Sequence, residues 1–275
     1  MKKLLGILLT VTIALLSVFG LAACNGEDTL VVYTEAGFAP FEYVSNGKIV
    51  GVDVDIMKEV GKKLGKKVVF EDVSFDTIVD AVAEGKLCNV GAAGISVTEE
   101  RAKKVDFSTE YYTAKLYVIY KVSEAETYES TTTDGETGIY WDSLAGKKIA
   151  VQGGTTADLF LGDELAEGGI LYGTGAESTS FGSLATAVAD IGLNQNVLII
   201  DELPAQQLIK NDSTLTCAPL YYQGENGGED EAATDVYAIC VTKGQTAILN
   251  AINEVIEELG EAGIQALVSQ HLGLK

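Results

Sequence analysis

The sequence predicts an α/β fold in two lobes, and three observations carry that prediction. Short apolar strands alternate with amphipathic helices from Thr29 onward, which is the pattern of βαβ units. The alternation breaks at a polar stretch over residues 123–137 and then restarts, which reads as a second α/β lobe inserted in the first. With 275 residues, 47% of them hydrophobic, the chain is long enough for each lobe to bury its own core.

The N-terminus is read apart from the fold. Lys2 and Lys3 precede an apolar run from Leu4 to about Leu21 that ends in Leu21-Ala22-Ala23-Cys24, the layout of a secretory signal peptide over 1–23. A membrane-spanning anchor is the alternative, because the run is nearly long enough to cross a bilayer. Residues 29–33 form the first strand. Residues 53–64 then place Ile56, Met57, Val60 and Leu64 at helical spacing, with Gly65 where a left-handed C-cap falls. Strand 67–72, a helix over 75–84 carrying Ile78, Val79 and Val82, and strand 90–93 complete the first run. Residues 116–120 are a strand, and 123–137, made of Ser, Thr, Glu and Asp, a solvated loop. The second run is strand 148–151, a helix from about Thr155, strand 170–172, helix 178–189, strand 197–201 and helix 202–210. A strand over 214–218, an acidic loop over 223–235, a strand over 237–241 and helices over 246–258 and 263–272 close the chain.

Composition narrows the chemistry. Nineteen Lys and Arg against 40 Asp and Glu give a net charge of −21, which excludes a nucleic-acid binder, since such affinity comes from cations displacing counterions. The one histidine, His271, leaves a His-based triad or metal cage short of parts. Cys24, Cys88, Cys217 and Cys240 show no ligand spacing, so neither a metal nor a redox cofactor is expected. After export three cysteines would remain, either as free thiols or with Cys217 and Cys240 paired.

Several residues could hold a ligand. Arg101 falls at the third helical position after an N-cap at Thr98, where its guanidinium could grip a carboxylate or simply stand exposed. Gly94, Ser96 and Thr98 precede it with backbone N–H groups open to the same anion. Gly153-Gly154-Thr155-Thr156 follows a strand and opens a helix, as an anion cradle or as an ordinary turn; it matches no nucleotide motif. Asp201 ends the apolar run Val197-Leu198-Ile199-Ile200, where open sheets place ligands; it either pairs with an ammonium or caps the next helix. Phe38, Phe41 and Phe75, in or near loops after strands, offer aromatic faces. An anion grip, an acid for a cation and aromatic walls together describe a site for a zwitterion, hence an amino acid.

Over about residues 30–272 the chain resembles the substrate-binding proteins of amino-acid ABC transporters, bacterial solute-binding protein family 3, with the type II periplasmic-binding-protein fold. The residues that carry the resemblance are Ala39-Pro40-Phe41-Glu42-Tyr43, Gly51-Val52-Asp53-Val54-Asp55-Ile56, Gly94-Ile95-Ser96-Val97-Thr98-Glu99-Glu100-Arg101, Leu144-Ala145-Gly146-Lys147-Lys148 through Thr156, and Asp201-Glu202-Leu203-Pro204. The resemblance implies two lobes, 29–115 with 222–275 and 116–221, joined by two crossing strands near 115–120 and 219–223 and closing on ligand by hinge motion. It implies that Arg101, helped by Gly94, Ser96 and Thr156, holds the α-carboxylate and that Asp201 holds the α-ammonium. Phe38 and Phe75 would sandwich the side chain, with Glu35 and Gln152 at lining positions that meet its polar end. The motif before Cys24 resembles a lipobox, which implies a lipidated Cys24, a tether over 24–28 and a place on the outer face of the cytoplasmic membrane or in the periplasm. The implied protein is a monomeric receptor, not an enzyme, that hands a polar amino acid to permease transmembrane subunits driven by a cytoplasmic ATPase. A sensing domain with a separate signalling partner, or an exported dehydratase with Glu35 as its acid, are the competing readings. The chain departs from the family at Asn89, where an aspartate is usual, and over 190–196, which replaces a basic turn.

Overall fold

A computed structural model describes residues 29–225 and 228–274. The expected signal peptide, Cys24 and the tether over 24–28 lie outside the described residues. Among the described residues no helix is long and apolar enough to cross a membrane.

Each lobe is built around one main sheet, and a small antiparallel sheet of Gly37–Phe38, Glu42–Ser45 and Lys48–Val50 is added to the first lobe. The smaller main sheet has the strand order Lys67–Asp72, Thr29–Thr34, Val90–Gly91, Cys240–Thr242, Val105–Phe107. The first three are parallel, and Cys240–Thr242 runs against both of its neighbours. Side chains alternate across the sheet: Leu30 and Val32 pack with Ile56, Met57, Ile252 and Val255 of helices Val52–Leu64 and Thr246–Leu272. Val31 and Tyr33 pack on the other face with Ile78 and Val82 of helix Phe75–Glu84. Helix Val52–Leu64 ends as its sequence requires, at Gly65 in the left-handed region with its N–H returned to the last turn. Thr246–Leu272 is two helices meeting at a kink at Gly260.

The larger sheet runs Glu177–Phe181, Lys148–Gln152, Val197–Asp201, Tyr112–Lys121, Leu215–Tyr222, Thr137–Tyr140, Glu129–Thr131. Leu116, Val118, Tyr120, Trp141 and Ile199 are buried in its core. The ten-residue strand Tyr112–Lys121 belongs to both lobes. Its first four residues pair with Thr234–Tyr237, and the rest with Val197–Asp201 and Leu215–Tyr222. These two antiparallel segments, Tyr112–Lys115 and Thr234–Tyr237, are the crossing strands.

Both crossings therefore differ from expectation: of 115–120 only Lys115 is in the crossing pair, the rest pairing within the larger sheet, and the second is not at 219–223. Leu215–Tyr222 lies wholly in the larger sheet, and the chain stays there through the short strand Glu231–Ala232, which pairs back onto it. Residues 123–137 are also more than a solvated loop: they hold a helix, Ala125–Tyr128, and strand Glu129–Thr131. Tyr128 is buried there against Tyr120, ring centroids 5.3 Å apart. The strand expected over 170–172 is a turn, with Ile170 43% and Tyr172 57% exposed. The strand instead is Glu177–Phe181, and the helix expected from 178 begins at Leu184. Cys88, Cys217 and Cys240 are free thiols. A Cys217 to Cys240 bridge is not formed, because the two sit in different sheets, and Cys217 is only partly buried.

Candidate functional site

The carboxyl ends of the central strands of both sheets meet between the lobes, the place where open α/β sheets bind ligands. Glu35 follows strand Thr29–Thr34, Gly94 and Ser96 follow Val90–Gly91, Gln152 ends Lys148–Gln152 and Asp201 ends Val197–Asp201. These five, with Phe38, Phe75, Thr155 and Thr156, line one small cavity of about 10 Å³. That volume admits one water at most, so a larger molecule enters only when the lobes part. A groove of about 680 Å³ between helices Val52–Leu64 and Thr246–Leu272 is far larger but contains none of the expected residues.

Arg101 lies just behind this cavity, in a neighbouring one of about 160 Å³ that shares Phe75 with it. Thr98 caps its helix, accepting a hydrogen bond from the Arg101 backbone N–H at 3.2 Å. The guanidinium is not exposed; the residue is 9% accessible. Nη1 donates to the Ser96 carbonyl and Nη2 to the Gly154 carbonyl, each at 2.7 Å, which ties one lobe to the other. Its carbon lies 5.7 Å from the Phe75 ring centroid. Three of the five guanidinium N–H groups are left for another acceptor.

The anion grip differs in detail from expectation. The Gly94 N–H is taken by Asp53 Oδ2 at 2.9 Å, so it is closed to an incoming anion. Glycine is needed there for space: φ is +53° and a Cβ would sit 2.8 Å from Phe38 Cε1. The Thr98 hydroxyl is committed to its helix. The hydroxyls of Ser96 and Thr156 lie 3.2 Å apart across the lobes, and both donate to one oxygen of Asp235, Oδ2.

Acids dominate the cleft. Asp201 starts helix Glu202–Ile209 but makes no capping bond, and its buried Oδ1 has no protein partner. Burial first, and then the nearby Asp235 charge, push its pKa up to about 7. Burial also raises Glu35. Behind them lies a second pair. Asp53, fully buried, accepts from the Tyr111 hydroxyl at 2.6 Å and is raised to about 6 by burial. Glu42, buried beside it with neither carboxyl oxygen bonded to a donor, is raised well above the carboxylate range by burial and then by the Asp53 charge. Burial without a donor disfavours the charged form of such a group.

The candidates Glu35, Phe38, Phe75, Gly94, Ser96, Gln152, Thr156 and Asp201 are thus brought together, with Arg101 one ring's thickness away. Phe41 is a core residue instead, edge-on to Tyr112 and Tyr237 at 4.9 and 5.0 Å. His271 is remote from the cleft, between Tyr43 and Asp55. Asp235 escaped the sequence reading because residues 223–235 look like an acidic loop, and Tyr237 was read as a strand residue only. The alternation Thr234-Asp235-Val236-Tyr237 was the available signal, since every second residue of a strand faces the same way.

Against known proteins, the profile of "Bacterial extracellular solute-binding proteins, family 3" matches residues 30–273. A probable histidine-binding protein of Campylobacter jejuni is 30% identical over 207 residues, 74% of this chain and 71% of that one. The ABC transporter arginine-binding protein 1 of Escherichia coli is 25% identical over 270 residues, 98% of each chain. Among solved structures, an amino acid ABC transporter substrate-binding protein of Streptococcus pneumoniae bound to L-arginine superposes with a TM-score of 0.75 at 28% identity, covering 90% of this chain and 95% of its own. These relatives are named for binding amino acids, which favours the substrate-binding reading over the dehydratase one, and their two-lobed periplasmic binding fold is the one described above. The chain belongs to the bacterial extracellular solute-binding proteins of family 3.

Proposed function

We propose that this protein is a receptor for a cationic amino acid, with L-arginine the first candidate. The observation that carries the reading is the charge of the cleft: Glu35, Asp201 and Asp235 stand against the single cation Arg101. A zwitterion of no net charge leaves that excess uncompensated in a desolvated site, whereas a side-chain guanidinium or ammonium offsets it. In this reading Asp201 takes the α-ammonium and Glu35 the side-chain cation. Arg101 takes the α-carboxylate with its remaining donors, aided by the Ser96 and Thr156 hydroxyls. Phe38 and Phe75 cover the aliphatic stem, Gln152 lends its unpartnered amide, and Gly94 gives the ring of Phe38 room. The arginine-binding relatives support this choice of ligand.

The rest of the receptor follows by the same resemblance. Residues 29–115 and the chain from Thr234 onward form one lobe and the intervening residues the other, closing about the crossing strands. A lipid on Cys24 holds a monomer at the outer face of the cytoplasmic membrane, where it presents its ligand to a permease with a cytoplasmic ATPase.

Titration calorimetry of the chain without residues 1–24 against arginine, lysine, histidine, glutamine and glutamate tests the ligand. Arginine is expected to bind with micromolar affinity or better, and at about a thousand times Kd to add roughly 4 kcal/mol of stability. Tighter binding of glutamine or glutamate than of arginine overturns the reading.

A further inference from the structure

Asp235 is 8% exposed and sits on the crossing strand Thr234–Tyr237, at the floor of the cleft. Its Oδ1 accepts from the neighbouring Val236 N–H at 2.8 Å. Its Oδ2 accepts from Ser96 Oγ on one lobe and Thr156 Oγ1 on the other. It also exerts the largest charge effect on Arg101, favouring the charged guanidinium against burial. Ser96, Thr156 and Arg101 are the three side chains assigned to the carboxylate of a ligand. In the shut cleft the Ser96 and Thr156 hydroxyls already bond a carboxylate, one that belongs to the chain itself.

We propose that Asp235 is a specificity-determining residue: it competes with the ligand's α-carboxylate for the Ser96 and Thr156 hydroxyls, and so weakens the receptor's preference for an amino acid over the same cation without a carboxylate. The inference rests on the cationic amino-acid reading above. Two carboxylates cannot share one pair of hydroxyl donors without repulsion, so an incoming α-carboxylate either displaces Asp235 or forgoes those bonds. Either course subtracts from the gain that the α-carboxylate would otherwise provide. An amine lacking that group makes no such demand, and meets Asp201 and Glu35 unhindered.

The test compares L-arginine with agmatine, its decarboxylated counterpart, by calorimetry on the wild type and on Asp235→Asn. Removing one negative charge weakens both cations, so the readout is the ratio of their dissociation constants. Asp235→Asn is expected to raise the agmatine-to-arginine Kd ratio at least ten-fold over wild type. A ratio that stays the same or falls overturns the proposal. Asp235→Ser, smaller and equally uncharged, gives the same expectation should the asparagine variant fail to fold, and thermal melting of each variant without ligand reports on folding. If wild type binds neither compound yet binds a neutral amino acid, the cationic reading itself has failed and this inference goes with it. Arginine binding with an unmoved ratio removes the role of Asp235 alone.

Discussion

Arg101 makes two kinds of contact, and they can be separated by experiment. Its bond to the Ser96 carbonyl fixes the guanidinium within its own lobe and its bond to the Gly154 carbonyl holds the shut lobes together, while its remaining donors are open to a carboxylate. Truncating it leaves the buried Ser96 carbonyl short of a partner, at about 1–3 kcal/mol, and the part-buried Gly154 carbonyl at less. Arg101→Ala is therefore expected to lower arginine affinity at least 100-fold in calorimetry and to enlarge the ligand-free molecule in small-angle scattering. A compact variant with unchanged affinity would count against both roles. Asp201 behaves oppositely toward the fold. Its buried carboxylate is disfavoured when ionised, so Asp201→Asn should raise the ligand-free melting temperature at pH 8 by a few degrees while weakening arginine binding at least 100-fold. A variant that melts lower, or binds as well, contradicts that assignment.

At the scale of elements, the helix Glu99–Lys104 is only six residues long and carries Arg101. So short a helix depends on its cap. Thr98→Ala should cost about 1 kcal/mol of stability in urea denaturation and weaken arginine binding several-fold without touching the cleft; an unaltered midpoint would show the cap to be dispensable. The same scale explains what the sequence made legible. Helix Phe75–Glu84 and strands Lys67–Asp72 and Val197–Asp201 match expectation to the residue, because apolar periodicity and flanking glycine or charge agree there. Glu177–Phe181 was missed for a physical reason: its sequence, Glu-Ser-Thr-Ser-Phe, alternates no apolar residues, since it is an edge strand with no fully buried side chain. Ile170 and Tyr172 look like strand residues but are exposed in a turn. Every residue lining the cavity falls in a segment that the sequence singled out, Thr155 as part of the Gly153-Gly154-Thr155-Thr156 turn. Hydrogen-bond commitments, such as Gly94 to Asp53 or Ser96 to Asp235, depend on contacts between residues 40 or more positions apart and have no local signature.

For the whole molecule, the buried acids set the response to pH. Asp53, Asp201 and Glu42 have pKa values raised in the fold. The stability they contribute is full below about pH 4; the share of Asp53 and Asp201 is lost as pH rises through about 6 to 7, and that of Glu42 as pH rises through its own raised value. Asp134, Asp212 and Asp230 are lowered by local hydrogen bonds, first from Thr132, Thr214 and Tyr140 respectively, with Asp230 at about 2. Their contribution is present above about pH 4 and is lost in stronger acid. Ligand-free stability should therefore peak near pH 5 and fall toward pH 8. Arginine binding needs Asp201 ionised, so affinity should rise from pH 5.5 to 7.5 with release of a proton, measurable as a buffer-dependent heat in calorimetry. Affinity that falls over that window would show Asp201 binding ligand in its neutral form.

The order of strands in the smaller sheet bears on how the chain is made. Cys240–Thr242 lies between Val90–Gly91 and Val105–Phe107, yet it is synthesised more than a hundred residues after either. Until it arrives, the first hundred residues hold a sheet with a gap in it, whose bordering edges have no partner. The lobe inserted between is continuous in sequence and can close first. A ribosome or a translocation pore thus releases a chain in which the lobe of the five-stranded sheet is completed after the inserted one, by a segment that emerges later. Until then the chain stays pliable enough to be threaded, and its ligand cleft does not exist.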